Sequence, residues 1–311
     1  MVTKTLVGIP TYNGSHRVDW LLQSISMRTP RDADYRIVVC DDSGRPEHQE
    51  KTRAVVEKWK PHLPVELLIN EKNMGLPRTW NKMVKSIQSE HCILINDDII
   101  VAPYWLESMV YFLDNNPKAG SCSHFCYFIT TDDIPQLISS VDAIVIPRDP
   151  FKKTQTEKYN DGLEYPGRCM APAGCFFGFR REIYDKVGFD ENIYTFYEEA
   201  DFGTALAELG YPAYVLSWPK NWHLWSATFG SAPEIEASKV MSESRQYYIG
   251  KWQGHHDGPD GTHIRFMSKI PFQKIRWMYK DKKYEKVIDG EHGYYLNDED
   301  KHNASILTEV K

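Results

Sequence analysis

The 311-residue chain contains no apolar run approaching the roughly 20 residues of a membrane span, so no membrane-crossing helix is predicted. Its six cysteines include no C-x-x-C pair, which removes the commonest zinc and dithiol motifs. No glycine-rich phosphate cradle of either common type is present, so a nucleotide would need its diphosphate charge neutralised otherwise, most simply by a divalent cation. Positive charge is not in excess either. The formal net charge is -6, and the molecule as a whole is not a polyanion binder. A strand-like run starts within a few residues of Met1, leaving no room for a signal peptide, and scattered reduced thiols fit a cytoplasmic setting.

What is present is ordinary globular material, 41% hydrophobic and 26% charged, enough for a sizeable core. In the first third, strand-like runs at 5–10, 35–40, 65–69 and 91–95 alternate with amphipathic helical patterns at 18–27, 48–59, 79–87 and 104–113. Such alternation indicates βαβ units and a parallel sheet, with the strand C-termini along one edge, where open α/β sheets bind ligands. Cys40 and Cys92 fall inside these runs and read as small buried hydrophobes. Further along, 120–131 and 141–146 are predicted strands and 148–168 a polar surface loop. A compact strand follows at 171–179, then a helix at 180–187 and another from Tyr197 to Leu209 that Gly210 stops. Cys122, His124 and Cys126 match no common zinc spacing and read as strand packing.

Polar residues gather at the predicted strand ends: Thr11, Tyr12 and Asn13; Asp41, Asp42 and Ser43; Asn70, Asn73 and Gly75; Asn96, Asp97 and Asp98. Each group alone is explained by turn formation. Acidic pairs ending two of four buried strands are not, because unpaired charge there is costly to desolvate. A second acidic group, Glu198, Glu199 and Asp201, opens a helix. Thr195 and Glu198 have capping-box spacing, and carboxylates suit a helix N-terminus, which accounts for one or two of the three acids.

In order along the chain, these motifs resemble a family 2 glycosyltransferase with the GT-A fold. The resemblance covers roughly 4–229, with weaker similarity through Trp252. It rests on the stretch from Val7 to Asn13, the acidic strand end Asp41–Asp42–Ser43, and Asn73–Met74–Gly75–Leu76 with Asn81. Asn96–Asp97–Asp98 as a D-x-D-type motif, the strand around Gly174 and Cys175, and the Glu198–Asp201 cluster with His223 complete it. The fold implied is an α/β, Rossmann-like, mostly parallel sheet flanked by helices. A catalytic domain over 1–230, with a nucleotide-sugar half at about 1–117 and an acceptor half at about 118–230, would precede a helical, partly basic extension at 231–311.

The resemblance implies an inverting transferase that moves a sugar from a nucleotide-diphosphate sugar, UDP-linked by preference, with Mn2+ or Mg2+ as cofactor. Pro10, Tyr12 and Asp41 resemble the residues that hold base and ribose, and Asn73, Gly75 and Arg78 those that approach the diphosphate. Asn96 and Asp97 stand at the first and middle D-x-D positions, where Asn96 replaces the usual Asp. Asp98 matches the metal-binding acid. His223 is a second ligand, tilting the choice toward Mn2+. Glu199 stands where the family carries its catalytic Asp; Glu198 and Asp201 are the other possible bases. A nucleotidyltransferase on a similar sheet is a second class, disfavoured because no glycine- and arginine-rich loop follows the first strand. A non-catalytic nucleotide-sugar-binding module is a third, disfavoured because both acidic clusters are present.

The acceptor stays open between a glycan or lipid-linked precursor and a modified base in DNA. The segment 263–286 carries eight basic residues against Asp281 and Glu285, interleaved with aromatics. It reads as a helix laid on its own core, as a peripheral contact to anionic lipid, or as a nucleic-acid contact. His255 and His256 read as exposed loop histidines. The tail 297–311 reads as disordered.

Overall fold

The computed structural model describes residues 2–143, 167–169, 171–224 and 236–252, and the backbone of two strands at 275–280 and 283–288. The predicted alternation is present as β1 (Thr3–Thr11), α1 (Ser15–Arg28), β2 (Tyr35–Asp41), α2 (Pro46–Trp59), β3 (Val65–Ile69), α3 (Leu76–Ser86) and β4 (Ser89–Ile95). A short β5 (Ile99–Ile100) and α4 (Trp105–Asn115) follow. The strands β3, β2, β1 and β4 are neighbours in that order, all parallel, so their C-terminal ends share one edge.

The second half of the chain extends this sheet with mixed direction. It comprises β6 (Ser121–Phe128), the short α5 (Ile134–Leu137), β7 (Gly167–Cys169), β8 (Phe176–Arg180), α6 (Arg181–Val187), α7 (Glu198–Glu208), β9 (Ala213–His223) and α8 (Ala237–Trp252). Strand β8 inserts antiparallel between β4 and β6. Strand β9 runs parallel to β6, with a register shift between His124 and Cys126, and its last residues pair with β5. The pairing Ile99↔His223 is therefore what brings a residue far along the chain next to the turn that ends β4.

Alternation along the strands feeds two cores, one on each face of the sheet. Val7, Ile9, Ile37, Val39, Ile93 and Ile95 pack under α1 and α4 with Val18, Leu21, Leu22 and Trp105. Leu6, Val38, Cys92 and Leu94 face the other way, against Trp80, Met83 and Val84 of α3. Trp80 is fully buried, with ring centroids 5.2 Å from Phe177 and 4.9 Å from Phe189. Truncating an aromatic so placed costs about 3–5 kcal/mol.

Several expectations are corrected. Residues 141–143 form a turn rather than the start of a strand; the rest of that predicted strand lies outside the described residues. So do most of the predicted loop at 148–168, His255, His256 and the tail 297–311; Gly167 and Arg168, placed in that loop, belong to β7. The basic segment is not helical where described. Its residues form β10 (Ile275–Lys280) and β11 (Lys283–Ile288), an antiparallel pair with Tyr279 opposite Tyr284. Ile275, Trp277 and Tyr279 alternate with Arg276, Met278 and Lys280, a period of two that fits a strand. Among the described residues, no helix is long and apolar enough to cross a membrane.

Candidate active site

A cleft of about 550 Å³ opens where the parallel strands end, walled on the far side by the loop 173–175 and the residues around the start of α7. Asp98 and His223 border it from one side, and Glu198 and Glu199 from another. Both acidic clusters singled out in the sequence thus reach one cavity.

The turn after β4 gives its three polar residues different tasks. Asp97 is held by a two-pronged Arg17, Nε to Oδ1 at 3.0 Å and Nη2 to Oδ2 at 3.2 Å, and accepts the Thr11 hydroxyl at 2.6 Å. Burial opposes the charge on Arg17, but Asp97 and then Asp98 outweigh it and hold its pKa above the ordinary value. Gly14 is required beside this pair, since a Cβ there would lie 2.0 Å from Asp97 Oδ2. Asp97 therefore borders the cleft but braces the turn. Asn96 also borders the cleft and is fixed through its backbone N–H, which donates to the Cys175 carbonyl at 2.9 Å.

Asp98 is different. Its buried Oδ1 makes no aligned hydrogen bond, yet lies 3.2 Å from His223 Nε2. Burial opposes protonation of His223, but Asp98 and Cys175 overcome it and hold the imidazole pKa well above its usual value. An orphaned carboxylate oxygen and a ring nitrogen converging on one point fit a divalent cation, to which oxygen and imidazole are both suitable ligands. Among the described residues, no three His, Cys, Asp or Glu side chains group as a full ligand set. The oxygens of a diphosphate and water would complete the coordination.

On the donor side, it is Asp42 rather than Asp41 that lines the cleft. Asp41 is fully buried and accepts bonds from the Ser43 N–H, the Ser43 hydroxyl and the Thr52 hydroxyl, away from the cavity. Strand alternation separates the two, which sequence position alone does not reveal. Asp42 accepts from Asn70 Nδ2 at 2.7 Å and from the N–H groups of Met74 and Gly75 at 2.8 and 3.1 Å, so it shapes the loop that carries Asn73 and Gly75. Burial raises its pKa against those bonds. Gly75 has φ +85°, and a Cβ there would meet the Tyr194 carbonyl at 2.7 Å, so only glycine fits. Pro10 and Tyr12 line the cleft. Arg78 does not border it; its Nη1 donates to the Met74 carbonyl at 3.4 Å and its Nε lies 3.8 Å from Glu191.

The second acidic cluster divides in the same way. Glu198 and Glu199 face the cleft, and Glu198 Oε2 is buried without a hydrogen-bond partner. Burial and the neighbouring Glu199 push the Glu198 pKa well up; burial, followed at a distance by Cys175, raises that of Glu199 against local backbone N–H bonds. Asp201 points elsewhere, to Lys251 Nζ at 2.9 Å and Trp252 Nε1 at 2.8 Å. The expected Thr195 capping box is absent. The helix begins only at Glu198, its N-cap is Tyr197 in a left-handed conformation, and no side chain caps it. Gly174 backs this region: a Cβ there would press on the Glu199 side chain at 3.2 Å.

Cleft residues not foreseen include Thr79, Phe128, Tyr194, Phe196 and Met241. Tyr194 and Phe196 had a sequence signal in the aromatic residues around the acidic cluster; Thr79, Phe128 and Met241 had none. Cys126 and Cys175 also border the cleft, hydrogen-bonded to each other, with Cys175 bonded to His223 as well. The bond from Cys126 draws the Cys175 thiol down to about 5, against burial and with help from His223. His124 is no zinc ligand. Its ring nitrogens meet Ser108 Oγ at 2.8 Å and Asn221 Nδ2 at 2.9 Å, and burial pushes its pKa down to about 3, keeping it neutral.

The parallel half-sheet, the inserted antiparallel strand and this cleft define a GT-A glycosyltransferase fold. The chain belongs to the family described as "Glycosyl transferase family 2", whose profile matches residues 6–188. It is 23% identical over 194 residues to the abequosyltransferase RfbV of Salmonella typhimurium, covering 58% of this chain and 54% of that one. It is 23% identical over 155 residues to the poly(ribitol-phosphate) beta-N-acetylglucosaminyltransferase TarS of Staphylococcus aureus, covering 50% of this chain and 24% of that one. The chain thus spans about half the length of the first relative and a quarter of the second. Among solved structures it superposes on a mannosyltransferase of Pyrobaculum calidifontis in complex with GDP-Man and Mn2+, with TM-score 0.56, 17% identity, and 80% and 65% of the two chains covered. It also superposes on residues 1–349 of S. aureus TarS in complex with UDP-GlcNAc, with TM-score 0.53, 18% identity, and 81% and 67% covered.

Proposed function

We propose that this protein transfers a sugar from a nucleotide-diphosphate sugar to an acceptor hydroxyl, with inversion at the anomeric carbon. The observation that carries the reading is the single cleft shared by the Asp98–His223 pair and the Glu198–Glu199 pair. Asp98 and His223 would hold a divalent cation, Mn2+ before Mg2+ because of the imidazole ligand; when bound, it offsets charge developing on the departing nucleoside diphosphate. The mannosyltransferase structure with Mn2+ supports that fit.

Pro10, Tyr12 and Asp42 line the end of the cleft suited to the nucleoside, and the Asn73–Gly75 loop presents backbone toward the diphosphate. Glu199 is the general base: its carboxylate removes the acceptor hydroxyl proton as the oxygen attacks the anomeric carbon. Raised pKa values at both glutamates suit a proton acceptor working near neutral pH. A glycan- or polyol-phosphate-type acceptor is favoured over DNA, since the TarS relative is named for poly(ribitol-phosphate) as its target.

The test is a donor screen. Nucleoside diphosphate release is measured for UDP-, GDP- and dTDP-sugars with Mn2+, with and without carbohydrate acceptors. Cation-dependent release from one donor class is expected. Binding of a nucleotide sugar with no turnover alongside any acceptor would favour the binding-module alternative.

A further inference from the structure

Phe196 and Tyr197 stand consecutively at φ 63° and 66°, a left-handed backbone that bulky residues keep only where neighbours over-determine it. They are the last two residues before α7, and both border the cleft. With no side-chain cap on α7, the turn needs another support.

Helix α8 supplies one. Ser244 Oγ donates to the Thr195 carbonyl at 2.6 Å. The Tyr248 ring packs on the Tyr197 ring with centroids 5.4 Å apart, and its hydroxyl shares a 2.9 Å bond with Thr204 Oγ1 of α7. Lys251 and Trp252 then grip Asp201. Positions 244, 248, 251 and 252 fall on one helical face, and Ser244 and Tyr248 are buried. One turn earlier Met241, 44% exposed, reaches the cleft wall, so α8 touches the turn and the cavity together. All of α8 lies beyond the residues matched by the family profile.

We propose that Tyr248 and Ser244 are positioning residues of the transfer reaction, holding the 195–197 turn so that the carboxylates of Glu198 and Glu199 enter the cleft. The proposal rests on the function assigned to that cleft above. Neither residue borders the cavity; they act through the turn. A displacement of about 1 Å at a positioned base costs on the order of a hundredfold in rate.

Y248A, Y248F and S244A are compared with the wild-type chain in two measurements: Mn2+-dependent nucleoside diphosphate release, and amide hydrogen exchange at 195–201. In Y248A, release at saturating donor falls about tenfold to a hundredfold while the donor KM stays within about twofold. Exchange at 196–199 quickens by about tenfold or more. Y248F keeps the ring on Tyr197 and restores most of the turnover. Equal losses in Y248F and Y248A would overturn the role given to the ring contact. Unchanged exchange and unchanged turnover in Y248A would overturn the proposal outright. If Y248A does not fold, S244A, which deletes one bond and no ring, decides by the same two readings. A wild-type chain that consumes no nucleotide sugar would sink the functional reading instead. The exchange comparison then still decides whether α8 holds the turn, quickened exchange supporting it and unchanged exchange overturning it.

Discussion

Asp98 Oδ1 and His223 Nε2 lie 3.2 Å apart although 125 positions separate them, because β5 pairs with the end of β9. With its pKa held well above the usual value, His223 carries a proton in the absence of a cation, and a cation must displace it. Cation affinity is therefore expected to rise with pH through the region above neutrality, measured by Mn2+ titration in the presence of UDP. Asp98→Ala removes the carboxylate ligand, and Mn2+-dependent donor turnover is expected to fall by about a hundredfold or more with the circular dichroism spectrum unchanged. Metal-dependent turnover at the wild-type level would take Asp98 out of the site.

Glu199→Gln keeps size and hydrogen bonding but cannot accept a proton. Turnover is expected to fall by about a hundredfold to ten-thousandfold, with nucleotide affinity nearly unchanged by calorimetry. In the wild-type enzyme the base must be ionised, and burial has raised its pKa above the ordinary glutamate value. The acid limb of the turnover profile should therefore lie above pH 4.5, rising with pH. Near-normal turnover in the Gln variant would move the base to Glu198, which also lines the cleft and has one buried oxygen without a hydrogen-bond partner.

Arg17 and Asp97 form a buried ion pair, 2% and 3% exposed, beneath the turn that presents Asp98. Arg17→Met leaves a carboxylate buried without its partner, and about 3–5 kcal/mol of stability should be lost by urea denaturation. Asp97→Asn in the same background should recover part of it, since the unpaired charge is then gone. An additive double variant would show that the two side chains do not act as a pair.

The parallel half of the sheet was legible because its strands and helices alternate with clear periods, and because parallel strands must end on one edge. The sharing of a cleft by Asp98 and the Glu198–Glu199 pair was legible only through the order of motifs. Which of Asp41 and Asp42 faces the cavity was not. Asp41 and Asp42 are neighbours in sequence, yet the pleat sends them to opposite sides, and only long-range partners such as Thr52 and Asn70 decide which. Asp201 was assigned with the glutamates because the helix start hid Lys251 and Trp252, which arrive from fifty residues downstream. The basic segment misled through composition: charge and aromatic content say nothing of period, and the alternation at 275–280 was the better guide.

Asp190 ties α8 to the loop before α7, accepting from Lys251 Nζ at 2.7 Å and Tyr247 OH at 3.0 Å. Burial alone would raise its pKa. The Lys251 bond, with the Asn192 N–H and Tyr247, outweighs burial and holds it down to about 2. A carboxyl depressed in the folded state stabilises above its unfolded pKa of about 3.9, and that contribution disappears as pH falls through the folded value. Asp190→Asn should therefore be less stable than wild type at pH 7, with the gap closing between about pH 4 and pH 2. Urea midpoints at several pH values give the difference directly, because the other titrating groups are common to both proteins. A gap that stayed constant down to pH 2 would mean that the charge of Asp190 contributes nothing and that its hydrogen-bonding shape alone holds α8 in place.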